Sequence, residues 1–156
     1  MAKTYRQGPV GALMDEYERA AEELIGILEG ISEDDYERVR DTKTQDEDCR
    51  SIATIMRHVV RAGYGYANYM RTYWKQEPIV RWDQPLPHAE VTSALRQALT
   101  YMVETLEGHW EMSEKEANEM KMTVRWGPTY DFESLFEHAI VHVLRHRRQI
   151  DKFLGR

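Results

Sequence analysis

Long stretches with one apolar face alternate along this chain with shorter polar or proline-rich breaks. In the first stretch Leu13, Tyr17, Ala20, Leu24, Ile27 and Ile31 recur at steps of three and four, the period of an amphipathic helix. Pro9 suits the first turn, where a missing N–H costs nothing, and Ser32 stands near the end. The second stripe is Ile52, Ile55, Val59, Ala62, Tyr66, Met70 and Tyr73, with Asp48 or Ser51 placed to cap it. The third is Val91, Leu95, Leu99, Met102 and Leu106. The fourth is Leu135, Ala139, His142, His146, Ile150 and Phe153, behind a candidate cap at Asp131.

The breaks are irregular. Residues 76–88 read QEPIVRWDQPLPH, and their prolines exclude a regular helix. Residues 33–48 are acidic and polar, with at most a short helical turn at EDDYERV. Residues 111–130 hold a polar helical piece, SEKEANEM, then KMTVRWGPTY, which alternates briefly and turns at Gly127-Pro128. No repeat or linker divides the chain, so residues 1–156 are read as one domain. The fold class predicted is all-α: a four-helix bundle whose long irregular connections set it apart from a simple up-and-down arrangement.

Composition narrows the function classes. A chain of 156 residues with 42% hydrophobic and 31% charged residues can build a core. No apolar run approaches the roughly 20 residues of a membrane span, and the N-terminal stretch is interrupted by charges, so a cytoplasmic location with no membrane partner is expected. The net charge of −6 argues against broad nucleic-acid binding. The RHRR cluster at 145–148 is a local exception, read as a solvated face. The single cysteine, Cys49, excludes an internal disulfide and a zinc ribbon, and is read as a minor packing residue.

Three of the six histidines, His138, His142 and His146, lie four residues apart in the fourth stripe. Positions four apart stand one above the other on a helix, so His142 and His146 can aim two imidazoles at one point. A buried imidazole needs a hydrogen-bond partner or a metal, and helix carbonyls are already occupied. Zinc-like ions at reactive sites take three protein ligands and keep a position open. The second stripe offers His58, three residues after Ile55 and four before Ala62. The Glu-x-x-His pairs of di-iron bundles and the His-Glu-x-x-His of zincins are both absent.

Periodicity alone leaves two readings open: a metal site, or ordinary partly buried histidines. His138 is off axis from His146 and is expected at the exposed edge, outside the ligand set. His88 and His109 are expected to be solvated. Glu133 and Glu137 fall on other faces, so no catalytic carboxylate accompanies the histidines. Tyr64, Tyr66, Tyr69, Tyr73 and Trp74, with Trp82 and Trp126, could line a pocket, although Tyr66 and Tyr73 at helical spacing read first as core or dimer interface.

The run HVLRHRRQI, residues 142–150, resembles the terminal-helix motif His-x-x-x-His-Arg-x-Gln-Ile of the DinB-like superfamily. Arg147 and Gln149 stand at its Arg and Gln places, and His58 in IATIMRHVVRA is similar to the family's first histidine. Members include DNA-damage-inducible proteins and S-transferases that depend on mycothiol or bacillithiol. The resemblance implies a bundle of the family's unusual connectivity, often a homodimer. It also implies a divalent metal on His58, His142 and His146, with water completing the shell; three imidazoles suit zinc, nickel, iron or copper, with zinc, nickel or iron foremost.

Gln149 would then hydrogen-bond groups that orient His146, while Arg147 and His138 are candidates on the substrate side. The family's DNA-damage name is no evidence of DNA binding. The activity implied is metal-dependent transfer of a low-molecular-weight thiol to an electrophile. A metal-dependent hydrolase, or a non-catalytic dimeric metal-binding stress-response protein, are the alternatives.

Overall fold

The computed structural model describes residues 2–79 and 82–156. Val80 and Arg81, in the proline-rich break, lie outside the described residues. Among the described residues four long helices carry the fold: α1 (Gly8–Glu29), α3 (Ile52–Tyr73), α4 (His88–Leu106) and α6 (Phe132–Phe153). Two short helices, α2 (Glu33–Glu37) and α5 (Glu114–Glu119), and a hairpin of β1 (Met122–Thr123) and β2 (Thr129–Tyr130) fill the connections. β1 and β2 run antiparallel, Met122 opposite Tyr130.

Local chemistry sets these boundaries. Pro9 opens α1 within its first turn. Ser51 and Thr54 form a reciprocal capping box at the start of α3, so Ser51, not Asp48, is the cap. Ser113 and Glu116 do the same for α5, and Asp131 accepts from the Ser134 N–H to start α6. The hairpin turns at Gly127, whose φ of +118° an L side chain would find strained.

α1 and α3 each pack against α4 and α6. Helices that follow one another in sequence, α1 and then α3, therefore lie diagonally across the bundle, and so do α4 and α6. An up-and-down bundle would make them neighbours. The long breaks make these diagonal crossings possible, and the consequence for function is that α3 and α6 lie side by side.

The core joins all four long helices, with Met14, Leu24, Leu28, Ile55, Met56, Met70, Met102, Leu135 and Phe136 fully enclosed. Each such side chain contributes roughly 1.5–3 kcal/mol of burial free energy. On α1 the buried line runs through Met14, Tyr17, Leu24 and Leu28, while the expected Ile27, and Ile31 just past the helix end, are only half-buried. At the bundle centre, a Cβ on Gly63 of α3 would stand 3.3 Å from the Tyr17 hydroxyl and 3.4 Å from the Ala98 Cβ. The absent side chain lets α3 approach both helices.

Several readings of the connections need correction. The short helical turn expected at EDDYERV forms as α2, but the segment is less polar in its role than its composition suggests: Tyr36 is fully buried and its hydroxyl donates to the Leu86 carbonyl at 2.9 Å. A single 3₁₀ turn also forms at Glu47–Cys49. His88 and His109 are half-buried, not solvated. His88 meets the Leu28 carbonyl through Nε2 at 2.9 Å. His109 stacks on Trp74 with ring centres 3.6 Å apart. Tyr66 is buried in the core as expected, whereas Tyr73 at the end of α3 is exposed and is not a core residue of this chain.

Candidate metal centre

The apolar face of α6 runs through Phe132, Leu135, Phe136, Ala139, Val143 and Ile150. His138, His142 and His146 form a second row beside it and are half-buried, so they border the core and do not sit on its axis. That row faces the first half of α3, where His58 projects. The three imidazoles of His58, His142 and His146 converge, with one nitrogen from each lying within 4.8 Å of the others. His142 Nε2 stands 2.9 Å from His58 Nε2 and 3.2 Å from His146 Nε2.

Hydrogen bonds behind the rings decide which nitrogens carry protons. His58 Nδ1 lies 3.3 Å from the Asp48 carboxylate, which only accepts, so that nitrogen holds the proton. Arg61 Nη2 is 3.4 Å from the same nitrogen but donates to Asp48 at 2.6 Å. His146 Nδ1 donates to Gln149 Oε1 at 3.1 Å. Nε2 of both rings therefore offers a lone pair. His142 Nε2, between them, can donate to one of the two at most. The cluster holds more inward lone pairs than protons, which suits a cation at its centre.

Electrostatics agree with that protonation state. Burial is the largest influence on all three rings and lowers each pKa. For His142, burial and the neighbouring imidazoles push it down to about 2. The Asp48 charge partly opposes the shift at His58, and the Gln149 hydrogen bond does so at His146. At neutral pH the rings are uncharged, the form that ligates.

A cavity of about 450 Å³ opens beside the cluster, bordered by His58 and His142. Its walls come from α3 (Tyr66, Tyr69), from α6 (His138) and from the hairpin (Arg125, Trp126). His138, half-buried rather than exposed, packs against Trp126 with ring centres 5.4 Å apart and against Tyr66 at 5.7 Å. Its ring centre is 6.5 Å from that of His142, and it stands outside the converging trio. Gln149 sits behind His146. Arg147 instead pairs with Glu23 of α1, away from this cavity.

Sequence reasoning missed Asp48 as a partner of His58, weighing it only as a helix cap. It also missed Arg61, which follows His58 by one helical turn, and Arg125, on the hairpin. The position of Arg61 was readable from spacing. That of Arg125 depends on how the hairpin folds over α3.

The DinB superfamily profile matches residues 16–150. The chain belongs to the DinB superfamily. No curated protein sequence matches it. Among solved structures, that of a mycothiol-dependent maleylpyruvate isomerase superposes with a TM-score of 0.60 at 14% sequence identity. The match covers 96% of this chain and 63% of that one, so this DinB protein spans under two thirds of its structural neighbour. What the two share is the DinB-like fold.

Proposed function

We propose that this protein holds a divalent cation on His58, His142 and His146 and uses it to activate a low-molecular-weight thiol for transfer to an electrophile in the adjoining cavity. The observation that carries the proposal is the convergence of three uncharged imidazole nitrogens within 4.8 Å at the edge of an open cavity. The DinB membership and a structural neighbour that depends on mycothiol support the thiol part of the reading. The family resemblance adds a homodimer, which sedimentation over a range of concentrations tests.

A divalent cation held by three imidazoles supplies Lewis acidity that lowers the pKa of a thiol or water reaching it. The chain's own contribution is positioning. Asp48 fixes the proton of His58 on Nδ1, and Gln149 does so for His146, so both rings keep Nε2 for the ion. The aromatic walls restrict water on one side and leave the other open for ligands.

Elemental analysis of the purified protein beside the H142A/H146A double variant tests the site. The expected result is about one metal per chain in the parent and none in the variant. Thiol-consumption assays with the loaded protein follow. Turnover of an ester without added thiol would replace transfer with hydrolysis, and absence of metal after reconstitution would remove both.

A further inference from the structure

The chain carries a net charge of −6, yet the cavity beside the histidines is lined by Arg61 and Arg125 and by no carboxylate among the described residues. The two arginines differ. Arg61 is neutralised by Asp48 at 2.6 Å and Asp83 at 3.7 Å. Arg125 has an exposed side chain and no ion pair among the described residues, although its backbone is fixed, because its N–H donates to the Tyr69 hydroxyl at 2.8 Å. The next residue, Trp126, is half-exposed at the cavity edge. Its ring lies 29° from the plane of His138, and Tyr66 and Tyr69 meet it edge-on, with ring centres 6.4 and 6.3 Å away. A flat aromatic wall and an unspent guanidinium thus sit side by side on a pinned hairpin.

We propose that this wall makes the cavity selective for a planar, unsaturated or aromatic carboxylate, with Arg125 pairing the carboxylate and Trp126 covering the flat face. Guanidinium pairs a carboxylate through parallel N–H donors, and an indole face favours a planar partner over a flexible one. The proposal rests on reading the cavity as the substrate site and assigns the carboxylate to the electrophile. A flexible thiol, whose sulfur must reach the histidines, has no use for a flat wall.

The test uses cinnamate and its neutral analogue cinnamamide, titrated by calorimetry and tryptophan fluorescence into metal-loaded and chelated protein. Cinnamate is expected to bind about tenfold more tightly than cinnamamide, with quenching, whether or not metal is present. R125A should reduce that preference to within about twofold, R125K should restore part of it, and W126L should weaken both ligands alike. Arg125 and Trp126 are exposed, so helical circular dichroism should not change.

Equal binding of the two ligands, or a preference surviving in R125A, would overturn the proposal. A preference seen only with metal would place the carboxylate on the ion, which also overturns it while leaving the metal site intact. Loss of 3-mercaptopropionate binding in R125A with cinnamate unaffected would assign Arg125 to the thiol and reject the assignment made here. If no metal binds at all but the preference persists and depends on Arg125, the proposed activity fails and the carboxylate seat stands.

Discussion

Asp48 Oδ2 lies 3.3 Å from His58 Nδ1, while the opposite nitrogen of the same ring faces His142 Nε2 at 2.9 Å. The carboxylate stands on the 3₁₀ turn before α3, and Arg61, one turn after His58, anchors it at 2.6 Å. One acid thereby fixes both the tautomer and the orientation of the ring. In D48A the ring is free to turn and to shift its proton to Nε2. Metal affinity, measured by competition with a chromophoric chelator, is expected to fall about 10–100-fold, with D48N recovering part of the loss. Helix content should not change, because Ser51 and not Asp48 caps α3. Unchanged affinity in D48A would mean that the carboxylate serves Arg61 alone.

Removing metal should destabilise the folded chain. An ion that binds only the native trio adds about 2.7 kcal/mol at a free concentration of 100 times Kd. For a chain of this size that corresponds to a Tm lower by roughly 5–10 °C after chelation. The H142A/H146A variant lacks two of the three ligands, so its Tm should not respond to chelator. Differential scanning calorimetry of both proteins, with and without chelator, makes the comparison. An equal drop in both would place the responsive metal elsewhere.

The metal-free protein should lose stability as pH falls below about 6.5. Histidines with folded pKa values below that of the unfolded chain refuse protons that the unfolded chain accepts. Stability therefore declines from the unfolded value near 6.5 downward, and for His142 the decline continues toward about 2. Each proton so excluded gives a slope of up to about 1.4 kcal/mol per pH unit. Urea midpoints of chelated protein between pH 7.5 and 4.5 should fall steadily. H142Q, which has no proton to take up at that site, should show a shallower fall. Identical slopes would mean that the ring swings out and protonates without cost to the fold.

What was legible in the sequence follows from which forces act locally. The four long helices, Pro9 in the first turn of α1 and the Asp131 cap depend on neighbours three or four residues away, and they stand in the sequence as they stand in the structure, although Ile27, Ile31 and Tyr73 are less buried than their stripes predict. The His142–His146 pairing is set by the same spacing. The placement of His58 against them depends on α3 and α6 being adjacent, which a stripe pattern does not encode; the second stripe offered His58 as a candidate partner, and the resemblance to DinB-like chains implied the same residue. Tyr36 shows the opposite case. It sits in an acidic segment with no stripe, and it is buried by packing into the core formed by distant elements, with its hydroxyl satisfied by the Leu86 carbonyl fifty positions away. The histidine row read as core turned out to border it, since Val143 rather than His142 carries the buried line. An imidazole and an aliphatic side chain one residue apart point about 100° from each other, and the apolar one takes the interior.

Cys49 tests whether sulfur belongs to the metal shell. It neighbours Asp48 in sequence, and its thiol lies 3.4 Å from Asp46 Oδ2 and 4.0 Å from Gln149 Oε1, the atom that accepts from His146. The converging set nevertheless consists of three imidazoles without it. Burial raises the thiol pKa, and the carboxylates of Asp46 and Asp48 push in the same direction, against the Gln149 hydrogen bond. A group whose pKa is raised is a poor thiolate donor at neutral pH. C49S is therefore expected to keep about one metal per chain with affinity within about twofold of the parent, in contrast to losses of 10-fold or more for D48A. Alkylation of Cys49 by iodoacetamide at pH 7 should run slower than for an unstructured peptide thiol and accelerate as pH rises. A large drop in metal affinity in C49S, or rapid alkylation that metal suppresses, would add sulfur to the ligand set and reject the three-imidazole site.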